Sequence, residues 1–380
     1  EIDRIEVIRG PGAVVWGTNA VNGVVNIITR SSSEATGGSV IAGLDPAGGD
    51  FFAARYEGRL SDSATFRSFA KYQSADGNQA FNGSASNDEW DMFRASFRTD
   101  WRFDNKEYKL TLEGYSGEMG STNTEFAPAP PYVAISDTNA DVSGAYVVGH
   151  WAISHDENTH TSGQAYIDYT DRASYLYEEE RTTYSIDLQH QRARGRHQLI
   201  VGGWLRMNQY ELAGSGILTF AQDIDNDSVL SAFVQDEIEL VEDRLSVTLG
   251  LKLEDNELSP SDIEVMPTVR LLWKPVDDHT FWAAATRAVR TPSIADLAAT
   301  VHDIAPVVPP GDPLNPTTVP GRVFSIGNPD FESETNLAFE VGARGQLSDS
   351  VSYDMALFTM EHDDIRSFSP TDIVLSLIHI

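Results

Sequence analysis

Beyond about residue 37 the chain alternates apolar and polar residues with period two, and this regularity confines it to half-buried β-strands. Leu245, Val247, Leu249, Leu251 and Leu253 interleave with Ser246, Thr248, Gly250 and Lys252. Leu337, Phe339, Val341 and Ala343 alternate with Ala338, Glu340, Gly342 and Arg344. Successive side chains of a strand point to opposite faces, so each segment carries one apolar and one polar wall. The connections alternate too. Short polar turns are predicted at 61–63, 104–106, 154–159, 192–196, 241–243, 276–278 and 348–350. Between them lie longer connections at 74–88, 117–140, 211–227 and a Pro-rich stretch at 289–335. Short turns on one rim and long loops on the other describe a transmembrane antiparallel β-barrel. A soluble sandwich or propeller also has many strands and turns, but strands of about 10–14 residues with such asymmetric connections fit it poorly. No run of 18 apolar residues occurs, so a spanning α-helix is excluded.

The count reaches about fifteen strands, the last near residues 350–362. Fifteen is not a closed even-numbered barrel, so the chain is expected to be a fragment of a larger one. Residues 37–370 are assigned to the partial barrel. Residues 371–380 break its pattern and are set apart as a tail foreign to it. Lys plus Arg number 27 against 57 Asp plus Glu, a formal net charge of −30. That balance argues against a nucleic-acid partner, which needs a basic patch. Cys is absent, which removes disulfides and thiolate metal sites.

Residues 1–36 read differently. An apolar strand carrying Ile5, Val7 and Ile8 leads into Arg9-Gly10-Pro11-Gly12, then Trp16-Gly17, then Gly23-Val24-Val25-Asn26-Ile27-Ile28-Thr29. This is strand, tight turn, Gly-punctuated loop and strand, the tail of a small α/β domain. Here the residues carry a resemblance. The run of Glu6, Arg9-Gly10-Pro11, an aromatic-Gly pair and Gly23-Val24-Val25-Asn26-Ile27 resembles the end of the plug domain of TonB-dependent outer-membrane receptors. Phe233-Val234-Gln235-Asp236-Glu237 before Asp243-Arg244-Leu245 resembles a strand pair of the same family. So do Arg290-Thr291-Pro292-Ser293 and Gly327-Asn328-Pro329-Asp330-Phe331-Glu332-Ser333-Glu334, where Phe331 and Ser333 replace the family's Leu and Pro.

The resemblance implies a plugged barrel of about 22 strands, embedded in outer-membrane lipid, that takes up a scarce nutrient. Its default cargo is a ferric siderophore, with haem, cobalamin and oligosaccharide as alternatives. Energy would come from a TonB-type inner-membrane protein, whose contact box does not occur in these residues. A passive porin-like barrel is the competing class, and it has no use for an Arg-Gly-Pro plug motif. Neither an enzymatic constellation nor a cofactor is expected. Glu6 and Arg9 are ionic residues that the resemblance places inside the lumen, where an unpaired charge is costly. Glu340, on the polar face of its strand, is the candidate barrel partner of Arg9. Arg290, His302 and Arg322 on the Pro-rich loop are the candidate contacts to an anionic ferric complex.

Other motifs carry less. Gly12 to Asn19 echoes a phosphate loop but lacks its Lys-Ser/Thr pair. Asp223, Asp225 and Asp227 have calcium-loop spacing, yet Ser228 and Val234 stand where an EF-hand needs Gly and Glu. They read as a solvated acidic loop, with a loose surface Ca²⁺ site as the alternative. His150, His155 and His160 straddle a turn and read as solvated histidines, not metal ligands. Trp101, Trp151, Trp273 and Trp282 lie beside short turns and are assigned to an interfacial girdle.

Overall fold

The computed structural model describes residues 2–367 apart from 35, 45–47, 80–82, 84, 127–132, 222–223, 262 and 308–318. The proposed foreign tail lies outside the described residues. The chain opens with β1 (Ile2–Arg9), the single turn α1 (Ala13–Trp16) and β2 (Gly23–Thr29). The strands β1 and β2 pair antiparallel, with Glu6 opposite Asn26 and Arg9 opposite Gly23.

The barrel wall follows. Its strands are β3 (Gly37–Leu44), β4 (Asp50–Ser61), β5 (Ala64–Ala75), β6 (Trp90–Phe103), β7 (Lys106–Phe126), β8 (Val133–Asp156), β9 (Thr159–Ala173), β10 (Tyr177–Arg194) and β11 (His197–Gly214). After a short β12 (Leu218–Phe220) come β13 (Asn226–Val241), β14 (Leu245–Asn256), β15 (Glu264–Val276) and β16 (His279–Arg290). A connection carrying α2 (Ile294–Ala298), β17 (Ala299–Val307) and β18 (Val319–Ile326) then leads to β19 (Glu334–Ser348) and β20 (Val351–Asp363). Fifteen of these strands form one antiparallel sheet in sequence order from β3 to β20, and those two edge strands are not paired with each other. β12, β17 and β18 make a separate three-stranded sheet.

The wall is inverted relative to a soluble protein. On β14, Leu249, Leu251 and Leu253 are 38–45% exposed, whereas Lys252 and Glu254 between them are 3% and 1% exposed. Such a surface is stable only where the outside solvent is hydrocarbon and every backbone group is paired within the sheet. The polar wall faces the lumen, and residues 10–22 lie against it. Val14 is buried, and Val21 packs on the small apolar cluster of Met266, Ala288 and Val289.

Of the residues assigned to the girdle, Trp101 and Trp151 flank Tyr108 as its direct cross-strand partners. Trp273 packs on Phe281, ring centroids 5.4 Å apart. Trp282 does not belong to this girdle. It is one residue from the outward Phe281, so it points into the lumen, where its Nε1 donates to Glu340 Oε1 at 2.5 Å. The stretch 117–140, expected to be a loop, instead continues the β7–β8 ladder from Gly117 opposite Val142 to Phe126 opposite Val133. Ser121, Thr122, Asn123 and Thr138 are polar on both faces, so this arm has no apolar stripe to betray it. Asn87 braces it, donating to the carbonyls of Ser121 and Thr138.

Candidate functional site

The plug segment meets the barrel at two levels. The upper contact is the turn at residues 17–19, beside the ends of β14 and β16 that carry the long connections. Gly17 has φ +88°, and a Cβ there would sit 3.1 Å from both Glu254 Oε2 and Lys252 Nζ, so glycine permits the approach. Thr18 Oγ1 donates to Glu254 Oε1. Asn19, with φ +69°, donates its backbone N–H to Val289 O at 2.8 Å and its amide to Thr291 Oγ1 at 3.3 Å. Behind this turn Lys252 and Glu254 stand 3.8 Å apart. The Lys252 ammonium lies 5.7 Å from the Trp204 ring and 6.0 Å from that of Phe233. Glu254 Oε2 has no hydrogen-bond donor among the described residues, so the buried pair is held by its own attraction, by the rings beside Lys252 and by one plug hydroxyl.

The lower contact lies beside the short turns. Ser32, fully buried, donates its backbone N–H to Asp100 at 3.0 Å, and its hydroxyl bonds both Asp100 and Thr65. Arg98 grips Asp100 through Nε and Nη2 and donates to Thr29 Oγ1 at 2.9 Å, while Arg67 donates to Arg30 O at 3.1 Å. These partners fasten the chain where it leaves the lumen to begin β3. Charge-assisted bonds of this kind are the strong ones.

At the rim, α2 begins with a capping box in which Ser293 and Asp296 exchange hydrogen bonds. Asp296, nearly buried, also binds Arg290 at 3.0 Å and Arg366 at 2.8 Å, and Arg290 binds Glu334 at 3.0 Å. Burial pushes the Asp296 carboxyl up, but the Ser293 donors and the two guanidiniums outweigh it and hold the group below the usual carboxylate range. The segment 326–328 closes the root: Gly327 N donates to Ala299 O and Asn328 N to Asp296 O. The two motifs at 290–293 and 327–334 thus form one clasp.

The residues singled out from sequence fall as follows. Arg290 sits in that clasp with both ends held by carboxylates, so its charge is matched within the protein. His302 lies on β17, its Nε2 2.9 Å from Thr219 Oγ1 and its ring 5.2 Å from that of Phe324. Arg322 pairs with Ile304 through the backbone of β18, and its side chain lies outside the described residues. Among the described residues no contact joins the three. Glu6 is occupied inside the plug hairpin by Arg4 and Asn26. Glu340 reaches the plug, its Oε2 3.8 Å from where a Cβ of Gly10 would stand. Arg9, exposed, makes no ion pair among the described residues, so Glu340 faces the Gly10 backbone and not the Arg9 guanidinium.

Of the acidic trio, Asp223 lies outside the described residues, and Asp227 is buried, accepting from Asn208 and Tyr210. His155 and His160 bond Thr161 and Ser154 hydroxyls. His150 is a strand residue of β8 opposite Lys109, not a turn residue. Sequence reasoning missed Thr18, Asn19, Glu254, Ser32 and Asp100. Lys252 and Glu254, two ionic residues on a lumen wall two positions apart, were the available signal.

A family model described as TonB dependent receptor-like, beta-barrel, matches residues 31–377. An iron-regulated outer membrane virulence protein of Vibrio cholerae is 23% identical over 382 residues, covering 96% of this chain and 53% of its own. The vitamin B12 transporter BtuB of Vibrio vulnificus is 51% identical over 41 residues, 11% of this chain and 7% of its own. The crystal structure of the siderophore receptor PirA from Acinetobacter baumannii superposes with a TM-score of 0.74 at 20% identity, covering 95% of this chain and 57% of that one. The chain therefore spans about half the length of the relatives it matches throughout, and the superposition shows the same fold.

Proposed function

Because the chain belongs to the TonB dependent receptor-like β-barrel family of the outer membrane, we propose that it forms the lumen wall and closing plug segment of a receptor for active nutrient uptake. The cargo is a ferric siderophore, and a TonB-type inner-membrane protein supplies the energy. The observation that carries this reading is the double seal of residues 17–19 and 29–32 against the lumen wall. A passive pore gains nothing from a segment fastened across its lumen. An external energy source is useful where several buried polar contacts must be broken in sequence.

The iron regulation named for the Vibrio cholerae relative and the siderophore named for the PirA structure support the cargo. Arg322 and His302 are the loop residues offered to it, and Arg290 shapes the loop root. Arg9 reaches for Glu340 only if the hairpin shifts, and Arg9→Glu with Glu340→Arg tests that pairing by mutual rescue. Cobalamin is the second reading, favoured by the short 51% match to a vitamin B12 transporter.

The test is uptake of radiolabelled iron by cells that express the complete gene and lack other receptors. Saturable uptake of a ferric siderophore that disappears without TonB is the expected result. Uptake of small solutes at equal rates with and without TonB overturns the transporter reading. Saturable uptake of labelled cobalamin in place of iron selects the second.

A further inference from the structure

The lipid-facing wall carries a group of cations where β10 reaches the short-turn rim, the periplasmic one. Parity places them. On β10, Tyr184, Ile186 and Leu188 face outward at 37–47% exposure, while Thr183 and Ser185 are buried against the lumen. Successive strand residues alternate faces, so His190, Arg192 and Arg194 continue the outward row. The neighbouring strands agree, with Thr161 opposite His190, Leu199 opposite Arg192 and His197 opposite Arg194. Only Gly195 and Arg196 separate β10 from β11, with Gly195 at φ +62°. This two-residue turn holds Arg194 and His197 as the last pair of the hairpin.

Trp151 sets the height of the group. It pairs with Gly163, which pairs with Leu188, so the three lie on one rung of the wall. His190 and Arg192 lie two and four residues closer to the turn, roughly 5 and 10 Å deeper for a strand tilted about 40°. The headgroup layer outside the hydrocarbon is about 5–7 Å thick on each side. With a tryptophan at the inner edge of that layer, His190 lies within it. Arg192 and Arg194, on long stems, reach it from the periplasmic side.

The charges are open. Arg192 and Arg194 are exposed, and among the described residues neither takes part in an ion pair or a hydrogen bond. The carboxylates nearby are engaged: Asp156, which senses the Arg192 charge, accepts the Asn158 N–H at 2.8 Å, and Asp236 lies 2.7 Å from His197 Nδ1. Thr161 Oγ1 joins His155 Nε2 at 2.8 Å and His190 Nδ1 at 2.9 Å. One hydroxyl thus orients two rings and leaves the second nitrogen of each without a partner among the described residues. At the loop end of the same face the sign reverses. Glu180 stands opposite both Asp171 and Glu211, and Tyr169 donates its hydroxyl to Glu180. β10 is the middle strand of the fifteen, so its outward face meets lipid and not another strand of the wall.

We infer that Arg192 and Arg194, with His155 and His190 beside them, form a headgroup site for an anionic glycerophospholipid of the periplasmic leaflet, of the phosphatidylglycerol class. Two guanidiniums at i and i+2 of one strand repel each other across roughly 7 Å. A phosphodiester between them satisfies both, through forked donors whose geometry suits phosphate. The imidazoles offer hydrogen bonds to the glycerol hydroxyls of such a headgroup. A lipid also fits the place, because the row below the site, Ile186 and Leu188, is the surface that acyl chains cover. The inference goes beyond the receptor reading: it needs the barrel in its membrane, but neither a cargo nor an energy source.

The experiment uses the full-length receptor in nanodiscs of phosphatidylcholine doped with phosphatidylglycerol, with native mass spectrometry of the lipid kept on release. The wild type should retain phosphatidylglycerol in preference to phosphatidylcholine. That reading needs no variant, and equal retention of the two lipids overturns the site. Arg192→Gln or Arg194→Gln should lower retention about fivefold, and the two together about 25-fold. Arg102→Gln removes an arginine already held by Glu107 at another turn of the rim, and should retain as much lipid as the wild type. An unchanged melting temperature shows that the double variant is folded. Undiminished retention by that variant, or an equal loss in Arg102→Gln, overturns the site. Inorganic phosphate that displaces the lipid at equal concentration would make this a free-anion site and overturn the lipid assignment. Every arm is read without siderophore, so failure here leaves the cargo assignment untouched, and failed iron uptake leaves the lipid site standing.

Discussion

Replacing Lys252 by Met removes the cation from an ion pair sealed between the lumen wall and the plug. The two groups stand 3.8 Å apart, with side-chain exposures of 3% and 0%. With an effective dielectric constant of about 20, their attraction is about 4 kcal/mol. Removing one member leaves the other buried and uncompensated, a loss of about 3–5 kcal/mol. Glu254→Leu strands Lys252 in the same way and also deletes the acceptor of the Thr18 hydroxyl, a bond to a charge worth about 1.5–3 kcal/mol. The double variant Lys252→Met with Glu254→Leu fills the same space with apolar atoms and strands neither member of the pair. It should lie within about 3 kcal/mol of the wild type, the remainder being the Thr18 bond. The expected coupling in the double-mutant cycle is therefore about 3 kcal/mol or more. Urea unfolding of the receptor in micelles reads it, with Trp204, 5.7 Å from Lys252 Nζ, as the local fluorophore. Additive single losses, with coupling under about 0.5 kcal/mol, would show that lumen water already screens the pair and refute the account of a dry seal.

Three further outcomes follow from the same contacts. Gly17→Val should destabilise the plug seal by about 1–3 kcal/mol, because φ +88° strains an L-residue and its Cβ meets Glu254 and Lys252 at 3.1 Å; faster proteolysis of residues 10–22 in the folded barrel is the readout. Ser32→Ala keeps the backbone N–H bond to Asp100 but deletes the buried hydroxyl that bonds Asp100 and Thr65, and should cost about 1–3 kcal/mol, measured as a lower melting temperature with an unchanged spectrum. Asp296 is ionised more readily in the folded protein than when unfolded, so its contribution to the loop root is full above the ordinary carboxylate value of about 4 and is lost as pH falls through the lower folded value. Protease cleavage within 291–333 should be flat above that pH and rise below it, whereas Asp296→Asn should be cleaved faster above that pH and converge with the wild type once Asp296 is protonated; a pH-independent wild type equal to the variant contradicts the clasp.

Much of the wall was legible from residues alone. The alternation along β14 and β19, the short turns and the strand–loop–strand run of residues 2–29 are local properties, set by the two-residue period of a strand and the backbone freedom of Gly10 and Gly17. The arm beyond Gly117 was not legible, because strands standing clear of a bilayer are polar on both faces and lose the period that marks them. Trp282 shows the complementary limit. A Trp beside a turn suits an interface, but a shift of one residue decides whether it meets lipid or Glu340.

The sequence by itself determined the architecture, an antiparallel wall with one apolar and one polar face, and the family of the chain, through motifs lying within a few residues of one another. Only the tertiary structure decided what the polar face holds. Lys252 and Glu254 face Gly17 and Thr18, Asp100 receives Ser32, Arg290 is matched by Asp296 and Glu334, and β12 finds β17. The physical reason is one of range. Period two fixes which side of a strand a residue takes, whereas the partner it meets depends on how far the sheet curves and which loop reaches across.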